Sequence, residues 1–178
     1  MSYRLVIQPV DYQYDFLQEI GKNAIILFKP KIISFEVLPI RILPEHLLLK
    51  PASFFGNLLT KGRRMVHLND LKQELKADWK FNQKKVKLAI LPHFIVEFGY
   101  DMVGLNVESN LSIISTYGME EKYLPQGCIG IGLHEIGHSV GLRHCKTKDC
   151  VMRTPSKPKN FQKGLYKLCE RHKESFQN

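Results

Sequence analysis

Between His134 and His144 the chain reads H-E-I-G-H-S-V-G-L-R-H, and few backbone arrangements make use of all of it. Four residues of α-helix turn the chain through about 400° and raise it about 6 Å. His134 and His138 therefore leave one helix face, and both can reach a single ion at about 2.0–2.1 Å. Glu135, beside the first histidine, is placed to take a proton from a water held at that ion. Gly141 can adopt the left-handed conformation that ends a helix and swings the chain back, which brings His144 in as a third ligand. Three protein ligands leave a fourth position open, as a catalytic zinc requires and a structural zinc does not. An added glycine and histidine, each with its own mechanical role, make this pattern far more specific than a bare H-E-x-x-H.

The 178 residues suffice for one domain with a hydrophobic core. No apolar run approaches the roughly 18 residues of a membrane span. The opening Met1-Ser2-Tyr3-Arg4-Leu5 lacks the apolar stretch of a secretory signal, so the expected location is cytoplasmic. The net charge of +9 is uneven: from Arg143 onward ten Lys or Arg face three Asp or Glu, against sixteen and fourteen before it. No basic stretch with interleaved aromatics accompanies that charge, so it reads as a solvated surface, and neither nucleic acid nor membrane is the expected partner. The chain is expected to act as a monomer.

Alternating and β-branched stretches predict strands at Tyr3 to Pro9, Lys31 to Leu38, Val86 to Leu91, Phe94 to Phe98, Val103 to Val107 and Leu111 to Thr116. Asp11 reads as the cap of a helix with Tyr12, Phe16 and Ile20 on one face and Gly21 near its end. Leu68, Leu71, Leu75 and Trp79 recur at helical spacing and predict a helix over about 65–80. A third helix follows Pro125-Gln126-Gly127 and runs to about Gly141. Thr154 to Asn160, with two prolines, is a loop, and Phe161 to Phe176 reads as a terminal helix. The segment from Ile40 to Gly62 has no clear pattern. Strands and helices alternate first and a helix-and-loop segment closes the chain, which is the order of a single α/β domain over 1–178. Leu111 to Thr116 is equally suited to an internal strand and to an edge strand that receives an extended peptide above the cleft. His46, His67 and His93 have no partner spacing and read as structural or surface residues.

Three of the four cysteines lie close behind the histidines: Cys145, Cys150 and Cys169, with Cys128 near the start of the third helix reading as a small buried apolar residue. In a chain without a secretory signal such clustering favours metal over disulfides. Met152 follows His144 by eight residues, and Cys169 is followed three residues later by His172. This arrangement resembles the archaemetzincins, whose signature continues the zincin motif with C-x4-C-x-M and then a distant C-x-x-C. The match is close over 134–152 and looser beyond. Sixteen residues rather than seventeen separate Met152 from Cys169, and His172 stands where the pattern has its last cysteine.

The resemblance implies a metzincin-like α/β fold, a twisted mixed sheet backed by helices, with an active-site helix in an N-terminal subdomain of about 1–141. A short C-terminal subdomain of about 142–178 follows. It implies a zinc metallopeptidase that hydrolyses peptide bonds in short peptides, aminopeptidases being among the activities attributed to the family. His134, His138 and His144 would hold the catalytic zinc, Glu135 would serve as general base and acid, and Met152 would form an apolar floor. Cys145, Cys150, Cys169 and His172 would hold a second, structural zinc, since such sites accept three thiolates and one imidazole. A free α-amino group would need an acidic partner, for which Glu97, Asp101, Glu108, Glu120 and Glu121 are candidates. Two other readings stand beside this one: a zinc-stabilised peptide-binding protein with little hydrolysis, and a basic nucleic-acid-binding protein with structural zinc. The first leaves Glu135 without a purpose and the second leaves the three histidines without one.

Overall fold

The computed structural model describes residues 2–50, 64–77, 84–99 and 102–176. Its strands are β1 (Tyr3–Pro9), β2 (Ile32–Val37), β3 (Met65–Val66), β4 (Lys85–Leu91), β5 (Phe94–Ile95), β6 (Gly104–Glu108) and β7 (Leu111–Ser115). Its helices are α1 (Leu17–Phe28), α2 (Leu68–Ala77), α3 (Leu124–Ser139) and α4 (Glu170–Glu174).

Five strands form one mixed sheet in the order β2-β1-β4-β7-β6. The first four run parallel, and β6 returns antiparallel to β7 at one edge. Parallel strands covered on both faces are apolar along their length rather than alternating, and β4 is buried from Val86 to Leu91. Its successive side chains still divide between faces: Leu88 and Ile90 join the core under α1 and α3, while Ala89 and Leu91 join the core under α2. Lys87, on the second face, donates its Nζ to the Leu75 carbonyl at 2.9 Å, which satisfies a buried cation's donor. The sheet is thus sandwiched, with α3 held on the face opposite α2.

Several expectations shift in detail. Asp11 does not cap α1, which begins six residues later. Instead it sits at φ +55, accepts the Leu43 N–H at 2.8 Å and lies 2.7 Å from His93 Nε2. Gly21 falls inside α1, where a Cβ would lie 2.1 Å from the Phe35 ring, so the helix can press closely on β2. Phe94 to Phe98 keeps two strand residues and then turns as a 3-10 segment at Val96–Phe98. Leu111 to Thr116 is internal, and the edge beside it is β6. The terminal helix is far shorter than its apolar spacing suggests. Gly164 at φ +63 breaks the path, and the Lys167 carbonyl accepts the Val151 N–H at 2.8 Å, pulling this segment into a bridge. Trp79 and residues 51–62 of the unassigned stretch lie outside the described residues. Among the described residues no helix is long and apolar enough to cross a membrane.

Candidate metal centre and active-site cleft

α3 runs from Leu124 to Ser139 and is buried over nearly its whole C-terminal half, His134 and Glu135 included. Its end is a paired turn: Leu142 N–H bonds to the Gly137 carbonyl and Gly141 N–H to the His138 carbonyl, each at 2.9 Å, with Gly141 at φ +95. This is the six-to-one and five-to-two pattern of a Schellman cap. The turn also aims the Leu142 carbonyl at His138 Nδ1, 2.9 Å away. His134 Nδ1 likewise donates to the Val151 carbonyl at 2.8 Å. With both Nδ1 atoms used as donors, the Nε2 atoms of the two neutral rings are left as lone pairs.

Those two Nε2 atoms and that of His144 converge. The separations are 3.2 Å between His134 and His138, 3.1 Å between His134 and His144, and 3.1 Å between His138 and His144. Lone pairs so close repel one another unless a cation sits among them. Tetrahedral ligands at about 2.0–2.1 Å from zinc lie about 3.3 Å apart, so the donor set and its spacing fit that ion. Burial brings the His134 imidazole down to about 4, against the pull of its Val151 bond. His138 is lowered by burial as well. Both shifts favour the neutral ring that a metal takes.

Glu135 lines the same cleft, a cavity of about 820 Å³. Gly104, Leu105 and Asn106 of β6 form one wall, and Thr154, Pro155 and Ser156 form another. Burial pushes the Glu135 carboxyl up to about 7, opposed by the Asn106 backbone N–H that bonds to it. A carboxylate in that range can both accept and return a proton near neutral pH.

The second donor group also comes together. Ligand atoms of Cys145, Cys150, Cys169 and His172 all lie within 4.8 Å of one another. His172 Nδ1 stands 3.4 Å from both Cys150 Sγ and Cys169 Sγ. Cys169 does not share a helix with His172; it precedes α4, and its N–H bonds to Cys150 Sγ at 3.3 Å. Burial pushes the Cys150 thiol up to about 12, a cost that a divalent ion would reverse by taking the thiolate. The chemistry of three sulfurs and one imidazole, mostly buried, fits a closed zinc site.

Met152 is fully buried beneath α3, with its Sδ 2.3 Å from the point a Cβ on Gly137 would occupy. Cys128 is buried, and that burial raises its thiol well above the ordinary range. His93 and His67 pair with Asp11 and Glu97, and His46 is exposed. Of the acidic candidates for an amino group, Glu97 binds His67 and the Leu68 N–H. Glu108 binds Lys72 and Lys76, and Glu120 binds Lys122. Glu121 is not among the residues lining the cleft, and Asp101 lies outside the described residues. Asn106, Val151 and Leu142 do not emerge from sequence reasoning: the last two act through carbonyls that any residue carries, and Asn106 through a contact set by sheet topology.

Residues 102–178, which hold both donor groups and the cleft's edge strand, match the model of peptidase family M54. The match spans the C-terminal part of the chain, the part that carries the metal-ligand candidates. Solved structures share the fold along nearly the whole chain. The archaemetzincin of Methanopyrus kandleri is 17% identical, with 99% of this chain and 94% of that one covered at a TM-score of 0.64. The archaemetzincin of Archaeoglobus fulgidus, complexed with malonate, is 17% identical over 96% and 98% at 0.61. A zinc-dependent peptidase of Methanocorpusculum labreanum is 13% identical over 97% and 99% at 0.62. No curated protein matches by sequence. The M54 match agrees with the mixed α/β sheet and with the two groups of potential metal ligands.

Proposed function

We propose that this chain is a zinc metallopeptidase of the archaemetzincin family M54 that cleaves short, extended peptides at a catalytic zinc held by His134, His138 and His144, with Glu135 as the proton carrier. Cys145, Cys150, Cys169 and His172 hold a second, structural zinc in the same reading. The observation that carries it is the meeting of three imidazole Nε2 atoms within 3.2 Å of one another, in a cleft that Glu135 also lines. Bound zinc supplies a Lewis acid that polarises a carbonyl and lowers the pKa of a coordinated water from about 15.7 toward 7.

Glu135 accepts a proton at a carboxylate oxygen as water attacks the scissile carbonyl carbon, then gives it to the nitrogen of the leaving amine. Burial suits both halves of this exchange by keeping the carboxyl close to neutrality. β6 lies at the sheet edge beside the cleft, so its outward backbone groups can pair with an extended peptide. Among the described lining residues Glu135 is the one carboxylate, so the peptide is held by its backbone rather than by its α-amino group.

The test combines metal analysis with a peptide library. Two zinc ions per chain are expected, with one lost in His172→Ala. Glu135→Gln should keep both ions and lower kcat/KM by about 10²–10⁴-fold. N-acetylated and free peptides should be cut at rates within about twofold. Full activity in Glu135→Gln would overturn the mechanism, and cleavage abolished by acetylation would restore the aminopeptidase reading.

A further inference from the structure

Behind Glu135 lies a polar cluster that the chemistry above does not use. Asn106 belongs to β6 and lines the cleft beside Glu135. Its side-chain Nδ2 donates to Ser112 Oγ at 3.0 Å and to Ser139 Oγ at 2.7 Å. Ser112 Oγ in turn donates to the backbone carbonyl of Glu135 at 3.1 Å, and Ser139 Oγ approaches the same carbonyl at 3.4 Å. The donor count closes: one amide offers two hydrogens, each hydroxyl accepts one, and each has its own hydrogen left for Glu135. Both serines are buried, so an amide that failed to reach them would leave polar groups without partners.

The strand is shaped for this contact. The pairing register of β6 with β7 shifts between Asn106 and Glu108, an irregularity of the kind that re-aims one backbone group beside an active site. Two residues earlier on the same face, a Cβ at Gly104 would come 3.1 Å from Glu135 Oε1 and 3.2 Å from its Cγ. The Glu135 side chain therefore rests against bare strand backbone at Gly104.

We propose that Asn106 is a positioning residue for Glu135, pinning the edge strand to α3 so that the carboxylate stays aimed toward the three histidines. It rests on the reading of Glu135 as proton carrier and adds to it the group that sets the carboxylate's direction. Because β6 is also the wall on which an extended peptide would lie, one side chain fixes the depth of the base relative to the substrate strand. Partners of this kind, one contact removed from the chemistry, are worth about 10–100-fold.

The test uses the zinc-loaded protein and a neutral peptide substrate. Asn106→Leu should lower kcat by about 10–100-fold with KM within about threefold and zinc content unchanged. Asn106→Leu also takes from two buried hydroxyls the donor they accept from, so Asn106→Leu/Ser112→Ala/Ser139→Ala removes the whole polar cluster and should recover thermal stability. Activity should stay low in that triple variant, because the edge strand is still unpinned from α3. In a Glu135→Gln background, Asn106→Leu should have no further effect on the residual rate. Wild-type kcat in Asn106→Leu, or kcat recovering together with stability in the triple variant, would overturn the inference while leaving Glu135 in its role. Full activity in Glu135→Gln alone would overturn both.

Discussion

Gly141 occupies φ +95, a conformation that costs a residue with a Cβ about 1–2 kcal/mol. That cost reaches the metal, because the turn it permits delivers the Leu142 carbonyl to His138 Nδ1. Gly141→Ala should therefore lower stability by about 1–2 kcal/mol in thermal melts. It should also weaken catalytic zinc about 10–100-fold in competition with a chelator, the usual effect of disturbing a ligand's hydrogen-bond partner. An alanine variant with unchanged zinc affinity would separate the turn from the ligand. At this scale the sequence is at its most readable where one helix and its cap connect the residues. His134, Glu135, His138, Gly141 and His144 are related by helical rise and a single turn, so their spacing alone carries their geometry. Asn106 meets Glu135 across twenty-nine positions of chain, through a sheet order and a register shift that no local pattern encodes.

Elements meet here by close approach, and α3 presents a face of missing side chains for it. A Cβ on Gly130 would stand 2.0 Å from Phe161 Cγ, where the ring has little freedom to retreat. Gly130→Ala gains about 1 kcal/mol of helix propensity but overpacks the contact, typically by about 1–3 kcal/mol. The clash should win, giving a net loss in thermal or urea melts that largely disappears when Phe161 is also changed to Leu. On the opposite face, Lys72 and Lys76 of α2 reach Glu108 of β6 at 2.8 and 2.6 Å and hold its carboxyl below the usual range. A lowered folded pKa stabilises the fold above the unfolded value of 4.5 and loses that contribution as acid titrates the carboxylate through its folded value. Glu108→Gln should cost at most about 1 kcal/mol at pH 7, because the pairs are partly exposed, and should flatten the fall of Tm between pH 5 and pH 3. The long strands and α2 were legible because burial on one or both faces leaves a periodic trace. The region from Phe161 to Phe176 misled for a physical reason. Leu165 and Leu168 fall at helical spacing, yet Leu168 is buried and Leu165 is exposed, and the bridge from Lys167 to Cys150 takes precedence over local preference.

Across the molecule, the two donor groups share one strap of chain. Cys145 follows His144, its N–H bonds to the Met152 carbonyl at 2.9 Å, and Val151 in the same strap holds His134. Loosening the sulfur cluster should therefore be felt at the histidines. Cys150→Ser is expected to weaken catalytic zinc at least about tenfold, read by chelator competition, while circular dichroism still reports the sheet and α3. Unchanged affinity would mean that the strap is held by packing alone. The far edge of the sheet sets a different condition on the whole protein. A strand left open along one side invites any extended chain to extend the sheet, including another copy of this one. The kink after Asn106 and the charge at Glu108 keep the straight part of that rim short. A brief visitor can dock there, but a growing stack of strands finds no flat surface to continue on.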